Sequence, residues 1–167
     1  MTTPTLQPNG WYRLNVRIAS TPAGAWFYAR TLHLFDRIVR RLFGERASLT
    51  KLFAGVEPVW LTTLGAKSGL ARTVPVLGLE EGGNIILIAS NWGQNHHPAW
   101  YRNLRAHPEV TVSMRGRAAV YVAREATEAE RDAYWQKATA YYSGYAAYQR
   151  RVRGRQIPVV ILTPKRP

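Results

Sequence analysis

The stretch TVPVLGLEEGGNIILIAS, residues 73–90, decides the fold that this sequence predicts. Thr73 to Leu79 and Asn84 to Ser90 are short runs of aliphatic and β-branched residues, which is typical of strands. Glu80-Glu81-Gly82-Gly83 lies between them and has the glycine content of a tight turn. The stretch therefore predicts a β-hairpin, whose two strands run antiparallel.

Four more runs of the same kind flank this hairpin, so about six strands are predicted in all. Because most of them are joined by short turns, they predict an antiparallel sheet. Six such strands in one domain commonly close into a barrel. The four runs are Pro58 to Leu64, Val110 to Arg115, Ala118 to Arg124 and Ile157 to Thr163.

Helices are inserted between the strands. Pro98 to Ala106 begins with a proline and ends before Pro108, which is typical of a short helix. Thr127 to Glu130 matches a capping box and predicts a helix through about Tyr141. The predicted class is therefore mainly β with helices, an α+β fold. Neither GxGxxG nor GxxxxGK[ST] occurs, which excludes the standard dinucleotide and phosphate loops.

The N-terminal part of the chain differs from the rest. Residues 1–22 contain three prolines and are interpreted as an irregular lead, at whose end Thr21-Pro22 resembles a helix start. Apolar residues then recur at helical spacing among arginines, which predicts a basic amphipathic helix over 23–46. Residues 47–167 remain as the barrel domain.

The net charge of +13 favours an anionic partner, such as a nucleic acid, membrane headgroups or a polyanionic small molecule. The absence of cysteine excludes disulfides and thiolate metal sites and is typical of a reducing cytoplasm. His96 and His97 have no carboxylates nearby in the sequence, so no metal centre is predicted. Without a cysteine or a GxSxG nucleophile, hydrolase chemistry is not predicted either.

Two places could meet a ligand that carries its own chemistry. The segment 89–93 leaves a strand and enters a glycine-containing loop, where backbone amides commonly contact ligands. Lys67 and Arg72 put two cations beyond another strand, which suits a phosphate or a carboxylate and equally suits an exposed basic turn. Trp100 could pack against a flat ring or belong to the core.

Tyrosines are concentrated near the C-terminal end of the chain. Tyr141, Tyr145 and Tyr148 have the spacing of one helical face, and Tyr142 lies beside them. Four phenols within eight residues can line an aromatic pocket and donate hydrogen bonds, or can pack a helix onto the barrel. Ser143-Gly144 weakens a helix there, which favours a segment that covers a pocket.

Several of these motifs occur in an order that resembles subgroup A of the flavin and deazaflavin oxidoreductases, the deazaflavin-dependent nitroreductases of actinobacteria. The resemblance runs from about Trp60 to Pro164 and implies a split antiparallel β-barrel with an N-terminal helix. It also implies that reduced coenzyme F-420 transfers a hydride to a small aromatic, quinone-like or nitroaromatic acceptor. The motifs are Leu61-Thr-Thr-Leu-Gly-Ala-Lys-Ser-Gly69, Arg72, Pro75, Ala89-Ser90 and His97-Pro-Ala-Trp-Tyr-Arg-Asn-Leu104.

The resemblance implies a role for each matching position in cofactor binding. Lys67 and Arg72 hold the phosphate or the oligoglutamate tail, and Ser68 and Gly69 shape the turn. The remaining contacts come from a strand, from the end of a second strand and from the opposite wall of the site. These residues are Val74 and Pro75, then Ala89, Ser90 and Asn91, then His97, Pro98, Trp100, Tyr101 and Asn103.

The catalytic residues implied by the resemblance are Ser90, Tyr142, Tyr145 and Tyr148, one of which supplies a proton or polarises the acceptor. The chain departs from the family pattern at Leu77 and Trp92, which puts the range of acceptors in doubt. The resemblance further implies that the N-terminal region can contact membrane. Residues 23–43 could therefore lie on the anionic inner face of the plasma membrane or pack on the barrel.

Other functions remain as alternatives to this prediction. Flavin mononucleotide could occupy the same barrel, or the chain could carry the deazaflavin without turnover. A nucleic-acid-binding barrel needs aromatics interleaved with cations on one sheet face, whereas the aromatics here cluster near the C-terminal helix. No nucleic-acid partner is therefore predicted. The expected assembly is a monomer or a dimer in the cytoplasm.

Overall fold

The structure, a computed structural model, describes residues 10–21, 23–28, 31 and 58–165. Among these residues, seven strands form one antiparallel sheet. Four helices accompany the sheet, in addition to the helical residues 23–28. The strands are β1 (Val59–Leu64), β2 (Ala71–Val76), β3 (Gly78–Glu81), β4 (Asn84–Ile88), β5 (Glu109–Met114), β6 (Arg117–Glu125) and β7 (Val159–Pro164). The helices are α1 (Gly10–Ser20), α2 (Ala99–Ala106), α3 (Glu128–Tyr141) and α4 (Gly144–Arg151).

The strand order across the sheet is β2-β1-β5-β6-β7-β4-β3. The two edge strands, β2 and β3, are consecutive in the chain, and only Leu77 separates them. One residue spans at most about 3.6 Å, so the two edges of the sheet must lie close together. The sheet is therefore curled into a half-barrel, which confirms the predicted mainly antiparallel, split-barrel fold.

The predicted strand from Thr73 to Leu79 is wrong in one respect, because it is two strands. Its first part, β2, pairs with β1, and its second part, β3, pairs with β4 through the Gly82-Gly83 turn. The chain passes close to the core where it changes partner: a Cβ on Gly78 would lie 2.6 Å from Cγ2 of Val59. Glycine permits this approach, whereas the sequence shows only one continuous apolar run.

Side chains of β4 and β7 alternate between two hydrophobic clusters, one on each face of the sheet. The barrel core contains Ile85 and Leu87 of β4 together with Leu61. The tyrosine cluster contains Ile86 and Ile88 of β4 and is completed by α3 and α4; its tyrosines are Tyr142, Tyr145 and Tyr148. The sheet thus separates two environments, the barrel interior and an aromatic layer outside it.

The N-terminal prediction needs one correction. Residues 10–20 form the helix α1, where an irregular lead is predicted. Tyr28 explains this arrangement, since its hydroxyl donates to Oδ1 of the buried Asn15 across 3.0 Å and joins α1 to the next helical segment. The predicted cap is present, because the Thr21 hydroxyl accepts from the Gly24 amide at 3.0 Å.

Most of the predicted basic helix cannot be compared with the structure. Residues 23–28 and 31 are helical, while the other positions of 23–46, including most of the predicted membrane-contacting segment 23–43, lie outside the described residues. The division into 1–22, 23–46 and 47–167 therefore stays a prediction. Within the described residues, no helix has the length and apolar character needed to cross a bilayer.

The helix α3 begins with the predicted capping box. Thr127 accepts from the Glu130 amide, and the Glu130 carboxylate accepts from the Thr127 amide at 2.8 Å. Arg124 donates to both oxygens of that carboxylate at 2.7 Å. The arginine first, and then the Thr127 amide, lower the pKa of Glu130 from 4.5 to about 2.

A pH-dependent stability follows from this lowered pKa. The contribution of Glu130 is fully present above its unfolded-state pKa of 4.5 and is lost as the pH falls towards about 2. Glu130→Gln should therefore lower the melting temperature at pH 7, and the difference from the wild type should shrink between pH 4.5 and 2. Glu128→Gln, in the same helical turn, serves as the control. A difference that stays constant over this range would contradict the assignment.

Candidate active site

A cavity of about 930 Å³ lies between the β1–β2 pair and helix α2. Seven of the predicted cofactor-binding residues line it, which are Lys67, Ser68, Arg72, Val74, Pro75, Trp100 and Asn103. The turn after β1 forms one end, the edge strand β2 forms one side, and the N-terminal half of α2 forms the other. The other lining residues are Trp60, Thr63, Gly65, Ala66, Ala71, Thr73, Ala99 and Arg102.

The cavity is strongly basic. Three cations line it, Lys67, Arg72 and Arg102, and no acidic residue is among the lining residues. Their side chains form no ion pair within the described residues, although cations elsewhere do, such as Arg105 with Glu125 at 3.7 Å. Three unpaired cations around one opening attract a ligand with several negative charges.

Asn103 fixes the turn that carries Lys67. Its Oδ1 accepts from the Ala66 amide at 3.0 Å, and its Nδ2 donates to the Thr63 hydroxyl at 3.0 Å. Within the turn, the Gly69 amide donates to the Gly65 carbonyl at 2.8 Å, and Gly69 has a φ of +64°, which glycine adopts without strain. The helix and the turn are thus joined by one amide side chain, and the cavity has a defined mouth.

The apolar wall of the cavity comes from the half-buried Trp100, Val74 and Pro75. Trp100 and Val74 also pack against the barrel core, so this wall is anchored. Pro75 fits because β2 is an edge strand, where a missing amide hydrogen breaks no ladder. A ligand whose flat ring packed against this wall could place an anionic tail among the cations Lys67, Arg72 and Arg102.

Tyr101 of α2 and His97, which precedes that helix, are not among the residues that line the cavity. Tyr101 is buried, and its hydroxyl donates to the Glu125 carboxylate. Burial first, and then this carboxylate, raise the pKa of Tyr101 to about 12. The His97 ring lies 4.8 Å from the Tyr101 ring, and burial followed by the Arg155 charge lowers its pKa. Tyr101 thus anchors α2 to the barrel core, and His97 packs against its ring.

The segment after β4 is also separate from the cavity lining. Ala89 is buried in the barrel core, and Ser90 is 8% exposed. Asn91, Trp92 and Gly93 have φ values of +49°, +57° and +73°, so three consecutive residues are left-handed. Asparagine tolerates this conformation, whereas for Trp92 it costs about 1–2 kcal/mol, which surrounding contacts must offset. Pro98 ends the segment as the N-cap of α2.

The predicted catalytic tyrosines come together, but not at the cations. The buried hydroxyls of Tyr142 and Tyr148 are 3.1 Å apart, and Tyr145 packs edge-on against both rings. Burial raises the pKa of Tyr148 well above 10. The predicted shared helical face with Tyr141 is wrong, because α3 ends at Tyr141 and a new helix begins at Gly144. Trp92 and Leu77 pack against the same cluster.

Sequence reasoning missed part of the cavity, above all Arg102. One signal could have found it: Ala99, Arg102 and Asn103 have the i, i+3, i+4 spacing of one helical face, which here faces the cavity. Trp60, Thr63 and Thr73 were missed because strand faces cannot be assigned before the pairing is known. Among the described residues, no group of three potential metal ligands occurs.

A half-barrel of seven antiparallel strands matches the fold of the flavin and deazaflavin oxidoreductases, and comparison with known proteins identifies the family. The model of the F420H(2)-dependent quinone reductase family matches residues 32–164. The chain belongs to this family and is therefore an oxidoreductase. Family membership implies the use of coenzyme F-420 and a small-molecule acceptor.

Individual relatives agree with this assignment. An F420H(2)-dependent quinone reductase of Mycobacterium tuberculosis is 31% identical over 136 residues, which is 79% of this chain and 89% of the relative. A solved F420-H2 dependent reductase, FDR-A, is 40% identical, with a TM-score of 0.58 over 63% of this chain and 92% of that one. Another solved relative, described as a domain-swapped dimer, is 36% identical, with a TM-score of 0.59 over 77% of this chain and 96% of that one.

The lining residues fit such a cofactor. A phosphate and a carboxylate tail need cations without competing carboxylates, which Lys67, Arg72 and Arg102 supply. A tricyclic ring needs a flat apolar surface, which Trp100, Val74 and Pro75 supply. The donor set is therefore suited to an anionic, ring-containing ligand.

Proposed function

We propose that this enzyme binds the reduced deazaflavin in the basic cavity and reduces a quinone-like acceptor. When bound, the cofactor supplies a hydride from a ring carbon. The single observation that carries the proposal is a set of three cations, Lys67, Arg72 and Arg102, that have no ion-pair partner among the described residues and lie beside an apolar wall. Lys67 and Arg72 hold the anionic tail, Trp100 and Pro75 orient the ring, and Asn103 keeps the mouth in place.

The acceptor end of the site is assigned to the tyrosine cluster and to Ser90. Ser90 follows β4, which contributes Ile88 to the tyrosine cluster and is followed by Ala89 of the barrel core. Trp92 and Leu77 differ from the family pattern and both pack on these tyrosines, which supports a role in acceptor choice. A tyrosine hydroxyl or the Ser90 hydroxyl would protonate the reduced acceptor oxygen.

The proposal is tested by titrating the purified protein with oxidised deazaflavin while following ligand fluorescence, with flavin mononucleotide in parallel. Saturable binding that prefers the deazaflavin is expected, followed by oxidation of the reduced form only when a menaquinone-like acceptor is added. Preference for flavin mononucleotide would keep the site and change the cofactor. Binding of neither would overturn the proposal. Tight binding without acceptor-dependent oxidation would favour the carrier alternative, which family membership already disfavours.

The tyrosine assignment predicts a separation of turnover from binding. Tyr142→Phe and Tyr145→Phe should each lower kcat by about 10-fold or more, since a positioned proton donor contributes at least that much. The affinity for the deazaflavin should change less than threefold, because the cations lie elsewhere. Tyr121→Phe is the control, since Tyr121 packs on the barrel core. Unchanged kcat with several acceptors would remove the tyrosines from the site.

A further inference from the structure

Arg155, in the connection between α4 and β7, makes polar contacts with several residues of the segment that precedes α2. Its Nη2 donates to the carbonyls of Ser90, Gln94 and His96 at 3.2, 2.7 and 3.3 Å. Its Nε donates to the Gln94 carbonyl at 3.3 Å, and its Nη1 lies 3.3 Å from Nδ1 of His97. One guanidinium therefore contacts the start, the middle and the end of the segment Ser90–His97.

The segment that Arg155 contacts is the one with the left-handed backbone. Asn91, Trp92 and Gly93 all have positive φ, and a second arginine, Arg151, donates to the Trp92 carbonyl at 2.9 Å. Left-handed non-glycine residues persist only where their surroundings hold them. The carbonyls of Ser90, Gln94 and His96 all accept from the Arg155 guanidinium. Because this group is planar and its donors have fixed directions, the three carbonyls are held in one relative arrangement.

The burial of Arg155 points to the same conclusion. Its side chain is partly buried, and within the described residues its guanidinium pairs with backbone carbonyls and an imidazole but with no carboxylate. Burial lowers its pKa from the ordinary value. Its contacts within the described residues all fall in one segment, and the planar guanidinium holds its donors in fixed directions, so this arginine constrains the geometry of that segment.

We propose that Arg155 is a positioning residue: it holds the segment Ser90–His97, which includes the left-handed residues Asn91–Gly93, in one conformation and so sets the relative placement of Ser90 and helix α2. Ser90 begins this segment, and Pro98 directly after it begins the helix whose Trp100 lines the cavity. Because Nη1 donates to Nδ1, it also fixes His97 as the tautomer protonated on Nε2. The link to catalysis rests on the proposed function, whereas the hold on the backbone does not.

The decisive variants are Arg155→Lys and Arg155→Gln, with Arg153→Gln as the matched control. Lysine keeps the charge but is a point donor on a flexible stem, so it cannot reach both ends of the segment. The side chain of Arg153 is exposed in the same connection, and its contact to Asn95 is made by the backbone amide. The control therefore removes an equal charge without touching the segment.

Two measurements are made on each variant. Amide hydrogen exchange is followed at Gly93 and Gln94, which donate to the carbonyls of Ser90 and Asn91. In parallel, kcat and the Kd for the tail-bearing deazaflavin are measured. For Arg155→Lys we expect exchange at least 10-fold faster at these amides, kcat at least 10-fold lower and Kd changed less than threefold, while Arg153→Gln resembles the wild type.

The outcomes separate this inference from the proposed function. Unchanged exchange in both Arg155 variants would overturn it, and so would faster exchange with unchanged kcat. Equal losses of kcat, cofactor affinity and melting temperature would also overturn it, because they indicate a general structural defect. If the wild type neither binds nor oxidises the deazaflavin, the proposed function falls, and the faster exchange in Arg155→Lys still supports the hold on the segment.

Discussion

Replacing both Lys67 and Arg72 by alanine is expected to weaken binding of the tail-bearing deazaflavin by about 100-fold. Each charged hydrogen bond is worth about 1.5–3 kcal/mol, and exposure of both side chains to solvent keeps each near the lower end of this range. Two such losses give about 3 kcal/mol, which corresponds to about two powers of ten in Kd. The measurement is a fluorescence titration at low ionic strength, where screening is weak.

Two comparisons make this result specific. For a deazaflavin without phosphate and tail, the Kd values of the wild type and the double variant should agree within about threefold, because the ring contacts are unchanged. Arg105→Ala, on the same helix as Arg102 but paired with Glu125, should leave both ligands unaffected. If the two ligands lose affinity equally in the double variant, the cations do not bind the tail, and their assignment is wrong.

Gly93→Ala is expected to be strongly destabilising. An alanine at its φ of +73° costs about 1–2 kcal/mol. Its Cβ would also lie 3.0 Å from Cα and 3.2 Å from the carbonyl oxygen of Tyr148, which are backbone atoms of α4. Overpacking of this kind costs about 1–3 kcal/mol more, so we expect the free energy of unfolding to fall by about 2–5 kcal/mol in urea.

Gly154→Ala measures the backbone-strain part of that loss alone, so the difference between the two variants gives the steric part. Gly154 has the same φ of +73°, but a Cβ there would meet nothing within 4 Å. It should therefore lose only the 1–2 kcal/mol due to backbone strain. Equal losses at the two glycines would show that α4 moves away from the turn at little cost, and would contradict the close packing of α4 on the Asn91–Gly93 turn.

Much of the fold could be predicted because local signals and sheet pairing agree. The capping box at Thr127 placed α3 within a residue, and the turn at Gly82-Gly83 is the observed hairpin turn. The partner change at Leu77 could not be predicted, since β2 and β3 differ only in which distant strand they meet. The helix α1 was missed because the contact that holds it comes from outside residues 1–22: Tyr28 donates to Asn15, 13 residues earlier.

The candidate site was predictable where its residues are adjacent in the sequence. The Lys67 turn and, on α2, Trp100 and Asn103 do line one cavity. The tyrosines and Ser90 are outside that lining, and alternation along β4 explains why. Ile88 and Ala89 point to opposite faces of the sheet, so neighbours in sequence enter different clusters. Arg155 carried no local signal at all, since its partners are about 60 residues away.

The position of β7 in the sheet determines when the sheet can be completed during protein synthesis. In the described sheet, the half β2-β1-β5-β6 and the half β4-β3 are hydrogen-bonded to each other only through β7, which is translated after all six. During synthesis at about 5–20 residues per second, the nascent chain therefore presents two open sheets with unpaired edges for seconds. Termination or a long pause in translation before Val159 would therefore leave the edges of β6 and β4 open to aggregation.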